Sequence, residues 1–507
     1  MLLEEGSTCW RVATAPRAAF LLDMADYFMA AREAMKKAKR SIHLLNWAFE
    51  PDTLFEPQPG GGGPDGDRFA NFLRDLACGN PELDVRLLCW KSALPVAATQ
   101  NFFPLKDRKA FAGTPVRFVL DDRLPTGASH HQKVIVIDDM VAFCGGGDIG
   151  PDRWDTPMHL DDDPRRKKAP SGDRCFDSRH EVMSIVDGPA AAALGELFRA
   201  RWLRATQEQL PGPPGPSRSS PWPACVKPDF RDVAVGLSLT YGKWRAGPEV
   251  RESEELYLAS IAGAKRRIYL ENQYFTSPIV AEALAQRLAE PRGPEVILVS
   301  AEHSPSYFDQ MTMDRTRSLF IQRLKDADRH GRLHVYSPVT TLGRIIIVHA
   351  KLAIIDDVLL RVGSSNLNNR SAGFDSECDL SLEASGPGAA AVKARISEIQ
   401  VRLIAHWLGC ADEVVAAALQ RAGSLGKAIE ALRLAGYARL RPIAPTPLGP
   451  FALFVAEFHL GDPISSADSL RPWKRRRLMK AKLAKAIADL KRAHLPTPEK
   501  RLSAKSV

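Results

Sequence analysis

Short runs of β-branched and aliphatic residues recur along the chain, separated by stretches in which apolar positions return every three to four residues. "DVRLLCW" from Asp84, "VRFVL" from Val116, "EVILVS" from Glu295 and "LHVYS" from Leu333 read as strands. "FANFLRDLA", "AALGELFRARWLRA", "IVAEALAQRLA" and "SLFIQRLKDA" read as helices between them. Strands alternating with helices predict α/β layers. Residues 388–440 read as helical, and a further helical pattern lies in the tail.

The pattern occurs twice. "AKRSIHLLNWAF" from Ala38 and "AKRRIYLENQYF" from Ala264 share seven of twelve residues, each preceded by a helical pattern. Two strands follow in each case, then "HQKVIVIDD" or "HAKLAIIDD", then "FDSRHEVMSIVDGP" or "FDSECDLSLEASGP". Five correspondences in one order predict two similar halves, residues 1–205 and 231–410. Between them, residues 206–230 carry seven prolines from Pro211 to Pro228, which favours an extended connector over packed structure. A helical extension is expected over 411–470 and a basic amphipathic tail over 471–507. The Gly-rich stretch 57–67 has no G-K-S/T after it, so it reads as a mobile loop and not as a phosphate-binding P-loop.

With 507 residues, 45% of them apolar, the chain can bury more than one core. Its eight cysteines are scattered and form no C-x-x-C pair, so neither a zinc site nor a disulfide framework is indicated, and a reducing compartment is expected. The N-terminus has early acids and no long apolar core, and no stretch approaches the ~20 apolar residues of a membrane span, so a cytoplasmic or peripheral protein is expected. The net charge of +9 belongs to the tail. Residues 471–507 hold thirteen Lys and Arg against Asp489 and Glu499, a balance of +11 that leaves −2 for the rest.

The paired "H-x-K" segments carry the chemistry. Period two puts His131 and Lys133 on one face of a buried strand and does the same for His349 and Lys351. Asp138 and Asp356 lie seven residues beyond their histidines, an odd separation, and begin an Asp pair before the next apolar run. That marks them as turn residues that organise a hairpin by accepting backbone hydrogen bonds. Gly145, Gly146 and Gly363 end the returning strands, where a missing β-carbon admits backbone and substrate. Ser364 and Asn366 add a hydroxyl and an amide beside that opening. Two lysines, an amide and two imidazoles together suit a phosphodiester monoanion. A lone His on a strand is more often structural than catalytic; its duplication with equivalent flanks changes those odds.

Both segments resemble the motif H-x-K-x4-D-x6-G-[GS]-x-[ND] of the phospholipase D superfamily. The second copy fits at every position through Gly363, Ser364 and Asn366, and the first has Asp148 where many members have Asn. "HHQK", "GPDRWDTPMH", "IYLENQYF" and "HEVMSIVDGPAAAAL" are similar to the eukaryotic-type phospholipases D, and the resemblance runs from about residue 20 to 410. It implies two α/β/α halves related by pseudo-twofold symmetry. It also implies phosphoryl transfer through a phosphohistidine, with His131 as nucleophile, His349 as general acid, and Lys133, Lys351 and Asn366 on the non-bridging oxygens. Gly145, Gly146, Asp148, Gly363 and Ser364 are expected to line the substrate. A carboxylate downstream of each motif should hold each imidazole: Glu181 for His131, with Asp177 as its competitor, and Glu377 for His349. This chemistry requires no metal or cofactor.

The resemblance implies a phospholipid substrate, cleaved to phosphatidic acid and an alcohol. A cardiolipin synthase-like phosphatidyltransferase is the alternative, and a nuclease of the same superfamily is less favoured because the body offers no basic phosphate track. A monomer is expected. In the tail, Met479, Leu483, Ala486, Ile487 and Leu490 at helical spacing, with Trp473 and many lysines, fit peripheral contact with an anionic membrane, nucleic acid, or an ordinary solvated helix.

Overall fold

The computed structural model describes residues 1–92, 104–167, 175–212, 220–245 and 247–470, with isolated positions between 477 and 488. Most of the basic tail, including Trp473 and all of its apolar stripe but Leu483, lies outside the described residues. So do residues 213–219 of the Pro-rich connector.

In the first half the strands are β1 (Arg11–Leu22), β2 (Ser41–Asn46), β3 (Asp84–Trp90), β4 (Arg117–Asp121), β5 (Lys133–Ile137), β6 (Val141–Gly145), β7 (Arg179–His180) and β8 (Val182–Asp187). In the second half they are β9 (Phe230–Tyr241), β10 (Val250–Arg251), β11 (Arg267–Asn272), β12 (Glu295–Val299), β13 (Leu333–Pro338), β14 (Ile347–Val348), β15 (Lys351–Ile355), β16 (Leu359–Gly363) and β17 (Glu377–Glu383). A last strand, β18 (Leu440–Pro442), lies in the extension and pairs with β13.

Sixteen strands form one sheet in the order β18-β13-β12-β11-β15-β16-β17-β9-β1-β8-β6-β5-β2-β3-β4, with β10 paired to β9. Outward from the central antiparallel pair β1–β9, the neighbours match on both sides: β8 with β17, β6 with β16, β5 with β15, β2 with β11. The chain is therefore an α/β protein whose halves are related by a pseudo-twofold axis through that pair. The period-two reading holds within the β-branched runs. Val134 and Val136 of β5 face a core shared by both halves, and Ile135 and Ile137 face the first half's own core. On β15, Leu352 and Ile354 share the common core, while Ala353 and Ile355 face the second half's own. Trp202 of the helix Pro189–Thr206 and Trp407 of the helix Ala389–Leu408 are fully buried in the common core.

The connector departs from the expectation of an extended, unpacked segment. Trp222 and Val226 are buried in the first half's core, the Trp222 indole N–H donates to the Val226 carbonyl (3.0 Å), and the Arg17 guanidinium lies over its ring at 4.6 Å. Proline removes backbone donors, but a large aromatic among prolines still gains by burial. In the Gly-rich stretch 57–67, the Gly60 N–H donates to the Pro164 carbonyl at 2.8 Å. Among the described residues, no helix is long and apolar enough to cross a membrane.

The Asp pairs close the β5–β6 and β15–β16 hairpins with positive φ at Asp138, Asp139, Asp356 and Asp357, a conformation that Asp tolerates better than most residues with a side chain. Asp138 accepts backbone N–H bonds from Lys39 (2.8 Å), Arg40 (2.7 Å) and Ser41 (2.9 Å). Asp356 accepts from Lys265 (2.5 Å), Arg266 (2.7 Å) and Arg267 (2.7 Å). Each carboxylate thus ties the motif hairpin to the strand beside it, β2 or β11. Asp138→Ala should leave three N–H groups without their charged acceptor and destabilise the fold by about 3 kcal/mol. Thermal unfolding should show a lowered midpoint, with Asp356→Ala behaving alike.

Candidate active site

β5 and β15 begin at Lys133 and Lys351, so His131 and His349 sit just before the regular strands, where the chain leaves its own half. There it pairs with the other half. The His131 N–H donates to the Ser376 carbonyl (2.9 Å), next to Glu377, and β14 pairs parallel with β7, so that the His349 N–H donates to the His180 carbonyl (2.8 Å), next to Glu181. Both imidazoles reach one cavity of about 440 Å³, together with Asn366, Arg153, Arg179 and Tyr274.

This backbone exchange crosses the carboxylates. His131 Nδ1 lies 2.9 Å from Glu377 Oε2 and 3.1 Å from Oε1, while His349 Nδ1 lies 2.5 Å from Glu181 Oε2. The expected pairing of Glu181 with His131 and Glu377 with His349 is therefore reversed. Either arrangement satisfies a twofold repeat; strand pairing across the axis selects the crossed one. Asp177, the competitor, is exposed. Burial pushes the Glu377 carboxyl well above the usual carboxylate range, and the Ser364 hydroxyl (2.5 Å) and the Ser371 hydroxyl (2.6 Å), both donating to it, act in the opposite direction. The Ser364 carbonyl lies 3.1 Å from His131 Nδ1. A carbonyl only accepts, so the proton sits on Nδ1, and Nε2 of the neutral ring keeps its lone pair.

Lys133 donates to the His131 carbonyl (2.8 Å) and pairs with Asp148 at 3.2 Å; Lys351 donates to the His349 carbonyl. Asn366 lines the cavity, and its buried Oδ1 has no hydrogen-bond partner among the described residues. Several expected substrate contacts turn out otherwise. Asp148 is at the cavity wall, but its carboxylate accepts from Trp47 N–H (3.0 Å) and Ala48 N–H (3.1 Å) besides holding Lys133, and as an acceptor it has nothing to donate to a phosphate. Ser364 supports Glu377 and His131. Gly146 makes room for protein: a β-carbon there would lie 2.6 Å from Glu181 Oε1 and 2.9 Å from Lys351 Cδ. One on Gly363 would lie 2.5 Å from Asp379 Cα, and one on Gly145 3.0 Å from Met183 Cα, so both glycines admit the neighbouring strand. Asp138 and Asp356 stay at their hairpins.

Trp47, Arg153, Arg179, Gln273, Tyr274 and Asp309 complete much of the wall. Trp47 and Gln273 occupy equivalent places in the "NWAF" and "NQYF" repeats, and Arg153 lies in "GPDRW", a segment of the family resemblance, so the repeats and that segment carried a signal for them. Nothing comparable marked Asp309.

Burial, then the Lys133 and Lys351 ammoniums, pushes the His131 imidazole well below its usual range. Burial, then Lys351, Arg153 and Arg179, does the same to His349. Burial lowers Lys351 to about 7 and raises Glu181 to about 7. The site is thus a cluster of cations around two neutral rings. A phosphodiester anion entering it would offset the cations and raise the proton affinity of an imidazole.

A family model described as "Cardiolipin synthase, PLD-like domain" matches residues 257–400. Phospholipase D A of Dictyostelium discoideum is 23% identical over 423 residues, covering 69% of this chain and 31% of its own length. Cardiolipin synthase A of Pseudomonas putida is 28% identical over 260 residues, covering 51% of this chain and 45% of its own. The chain thus spans less than half the length of either curated relative. Among solved structures, phosphatidylserine synthase of Haemophilus influenzae Rd KW20 shares the fold with a TM-score of 0.52 at 14% identity, over 76% of this chain and 86% of that one.

Crossed pairing has a direct test. Glu377→Gln should move the His131 ring resonances in ¹⁵N-histidine NMR and leave those of His349 near their original positions; Glu181→Gln should do the reverse. The pH dependence is equally specific. Below about 7 Lys351 is a cation and Glu181 is neutral; above it the cation is lost and an anion gained. Both changes disfavour an anionic ligand. Affinity for a monoanionic phosphonate ester, measured by calorimetry, should therefore fall above pH 7, by up to about tenfold per pH unit for each of the two groups. Lys351→Arg should flatten that slope.

Proposed function

Since the chain belongs to the phospholipase D superfamily, we propose that it is a phospholipase D, hydrolysing the distal phosphodiester of glycerophospholipids to phosphatidic acid and a free headgroup alcohol. The observation that carries this reading is the convergence of His131 and His349 on one cavity, each with Nδ1 against a buried glutamate from the opposite half.

In the proposed reaction, the Nε2 lone pair of His131 attacks phosphorus and the bond to the headgroup oxygen breaks. The departing oxygen takes a proton from the imidazolium of His349, which the substrate's own negative charge favours. The lipid phosphate is then carried on His131. Neutral His349 next takes a proton from water, whose oxygen attacks phosphorus and releases His131. Lys133, Lys351 and Asn366 hold the non-bridging oxygens as charge builds in the transition state, where loss of one such donor commonly costs about 3 kcal/mol. Glu377 and Glu181 orient the rings through Nδ1. An alcohol in place of water gives transphosphatidylation.

A lipid substrate is favoured by the rim. Tyr307 and Phe308, 77% and 59% exposed, stand between Ser306 and Asp309, which both line the cavity. Aromatic rings at that position suit contact with an acyl-chain and headgroup boundary. The basic tail is proposed to add peripheral contact with anionic lipid. A cardiolipin synthase-like transfer between two phospholipids is the second reading, favoured by the match over residues 257–400. It uses the same histidine chemistry with a phosphatidylglycerol hydroxyl as acceptor.

Mass spectrometry of products from mixed phospholipid vesicles, with and without ethanol, separates these readings. Phosphatidic acid, replaced in part by phosphatidylethanol when ethanol is present, is expected, and His131→Ala should reduce both by at least about a thousandfold. Cardiolipin as the dominant product would favour the second reading. Intact lipids alongside cleaved oligonucleotides would overturn both.

A further inference from the structure

Away from the cavity, the common core contains a second group of histidines that the proposed reaction does not use. Asp23, His159 and His180 of the first half and His406 of the second bring ligand atoms within 4.8 Å of one another. The side chains of Asp23, His159 and His180 are fully buried and that of His406 is 6% exposed. They come from four separate places: the start of the helix Met24–Lys36, the loop after Arg153, β7, and the helix Ala389–Leu408.

Their roles differ. His180 has a carboxylate at each ring nitrogen, Asp23 Oδ1 at 2.9 Å from Nδ1 and Glu271 Oε2 at 3.0 Å from Nε2, so both nitrogens donate and neither is a free ligand. His159 donates Nδ1–H to Asp155 Oδ2 (2.9 Å), which leaves Nε2 with its lone pair. That lone pair faces His406 Nε2 at 3.2 Å and Asp23 Oδ2 at 3.5 Å, and His406 Nε2 is 3.9 Å from the same oxygen. Asp23 Oδ2 is buried and has no hydrogen-bond partner among the described residues. A hydrogen bond between the two histidines satisfies one pair of atoms and leaves the Asp23 oxygen unpartnered, a costly arrangement inside a protein.

Two nitrogens and an oxygen bound to zinc at about 2.0–2.1 Å in a tetrahedron stand about 3.3 Å apart. The three observed separations bracket that edge. Histidine and carboxylate are zinc ligands, and a carboxylate on the far nitrogen of a ligating histidine is the usual support of such a site. Asp155 provides this for His159, and the His180 imidazolium holds the other oxygen of Asp23.

We propose that Asp23 Oδ2, His159 Nε2 and His406 Nε2 bind one divalent transition-metal ion of the zinc class, with water in the fourth position. The ion joins the two halves through the helix Ala389–Leu408. It also bears on the first glutamate of the candidate active site. Asp23 exchanges hydrogen bonds with Glu181, its N–H donating to the Glu181 carbonyl at 2.8 Å, while the Glu181 N–H donates to the Asp23 carboxylate oxygen Oδ1 at 3.2 Å. The metal therefore fixes the residue that holds His349, without touching the reacting phosphate.

The test is metal content of the full chain, freed of any affinity tag and passed through gel filtration after growth with added zinc. Inductively coupled plasma mass spectrometry should find about one zinc per chain in the wild type and in His131→Ala/His349→Ala, and loss of zinc in His406→Gln and Asp23→Asn. His406→Gln is the primary variant because its side chain alone is partly exposed; its folding is checked by circular dichroism. Cobalt(II) added to metal-stripped wild type should produce the visible absorption of a tetrahedral site, absent from folded His406→Gln. Zinc content equal in wild type and His406→Gln, whether both near one or both near zero, would overturn the proposal, as would loss of zinc from the His131→Ala/His349→Ala variant.

Discussion

An imidazole buried among ammonium and guanidinium groups keeps a defined tautomer only if an acceptor holds its Nδ1 proton, and here each half supplies that acceptor to the other. Glu377 reaches His131 and Glu181 reaches His349 because the segments preceding β5 and β15 pair with backbone across the axis. The remaining geometry follows from this exchange. The central β1–β9 pair sets the distance between halves, the Asp138 and Asp356 carboxylates tie each motif hairpin to the strand beside it, and the glycines clear space for the crossing side chains.

The electrostatics of the cavity belong to the same arrangement. Lys133, Lys351, Arg153 and Arg179 surround two rings that burial and these cations keep neutral. A neutral ring is what a nucleophile needs and the opposite of what a general acid needs. In the proposed mechanism the two requirements are reconciled by the phosphodiester itself, whose negative charge raises the proton affinity of the ring beside the leaving oxygen. In that mechanism, two chemically alike residues are distinguished by what is bound between them.

Much of this was legible in the chain. The apolar runs at Asp84, Glu295, Lys133 and Lys351 became the strands they were read as, and the family resemblance, with the repeat beneath it, implied the axis. The two central strands were not visible. "RVATAPRAAFLL" mixes four alanines, two arginines and a proline, and Pro16 falls between Ala15 and Arg17, both paired to β9, at a place where β8 has already ended. Internal symmetry could not say which half supplies the acid, because both choices are symmetric. Trp222 was hidden by the prolines around it. The Asp23, His159 and His406 group was hidden for a different reason: three single residues, 247 positions apart between the two histidines, share no spacing that a pattern could reveal.

The crossed glutamates make each half an incomplete device, with a motif histidine whose Nδ1 partner is encoded elsewhere. A fragment bearing one motif would need a second copy of itself, or the missing fragment, before its histidine was correctly oriented. Removing either half therefore leaves the other half's motif histidine without the carboxylate that holds its ring.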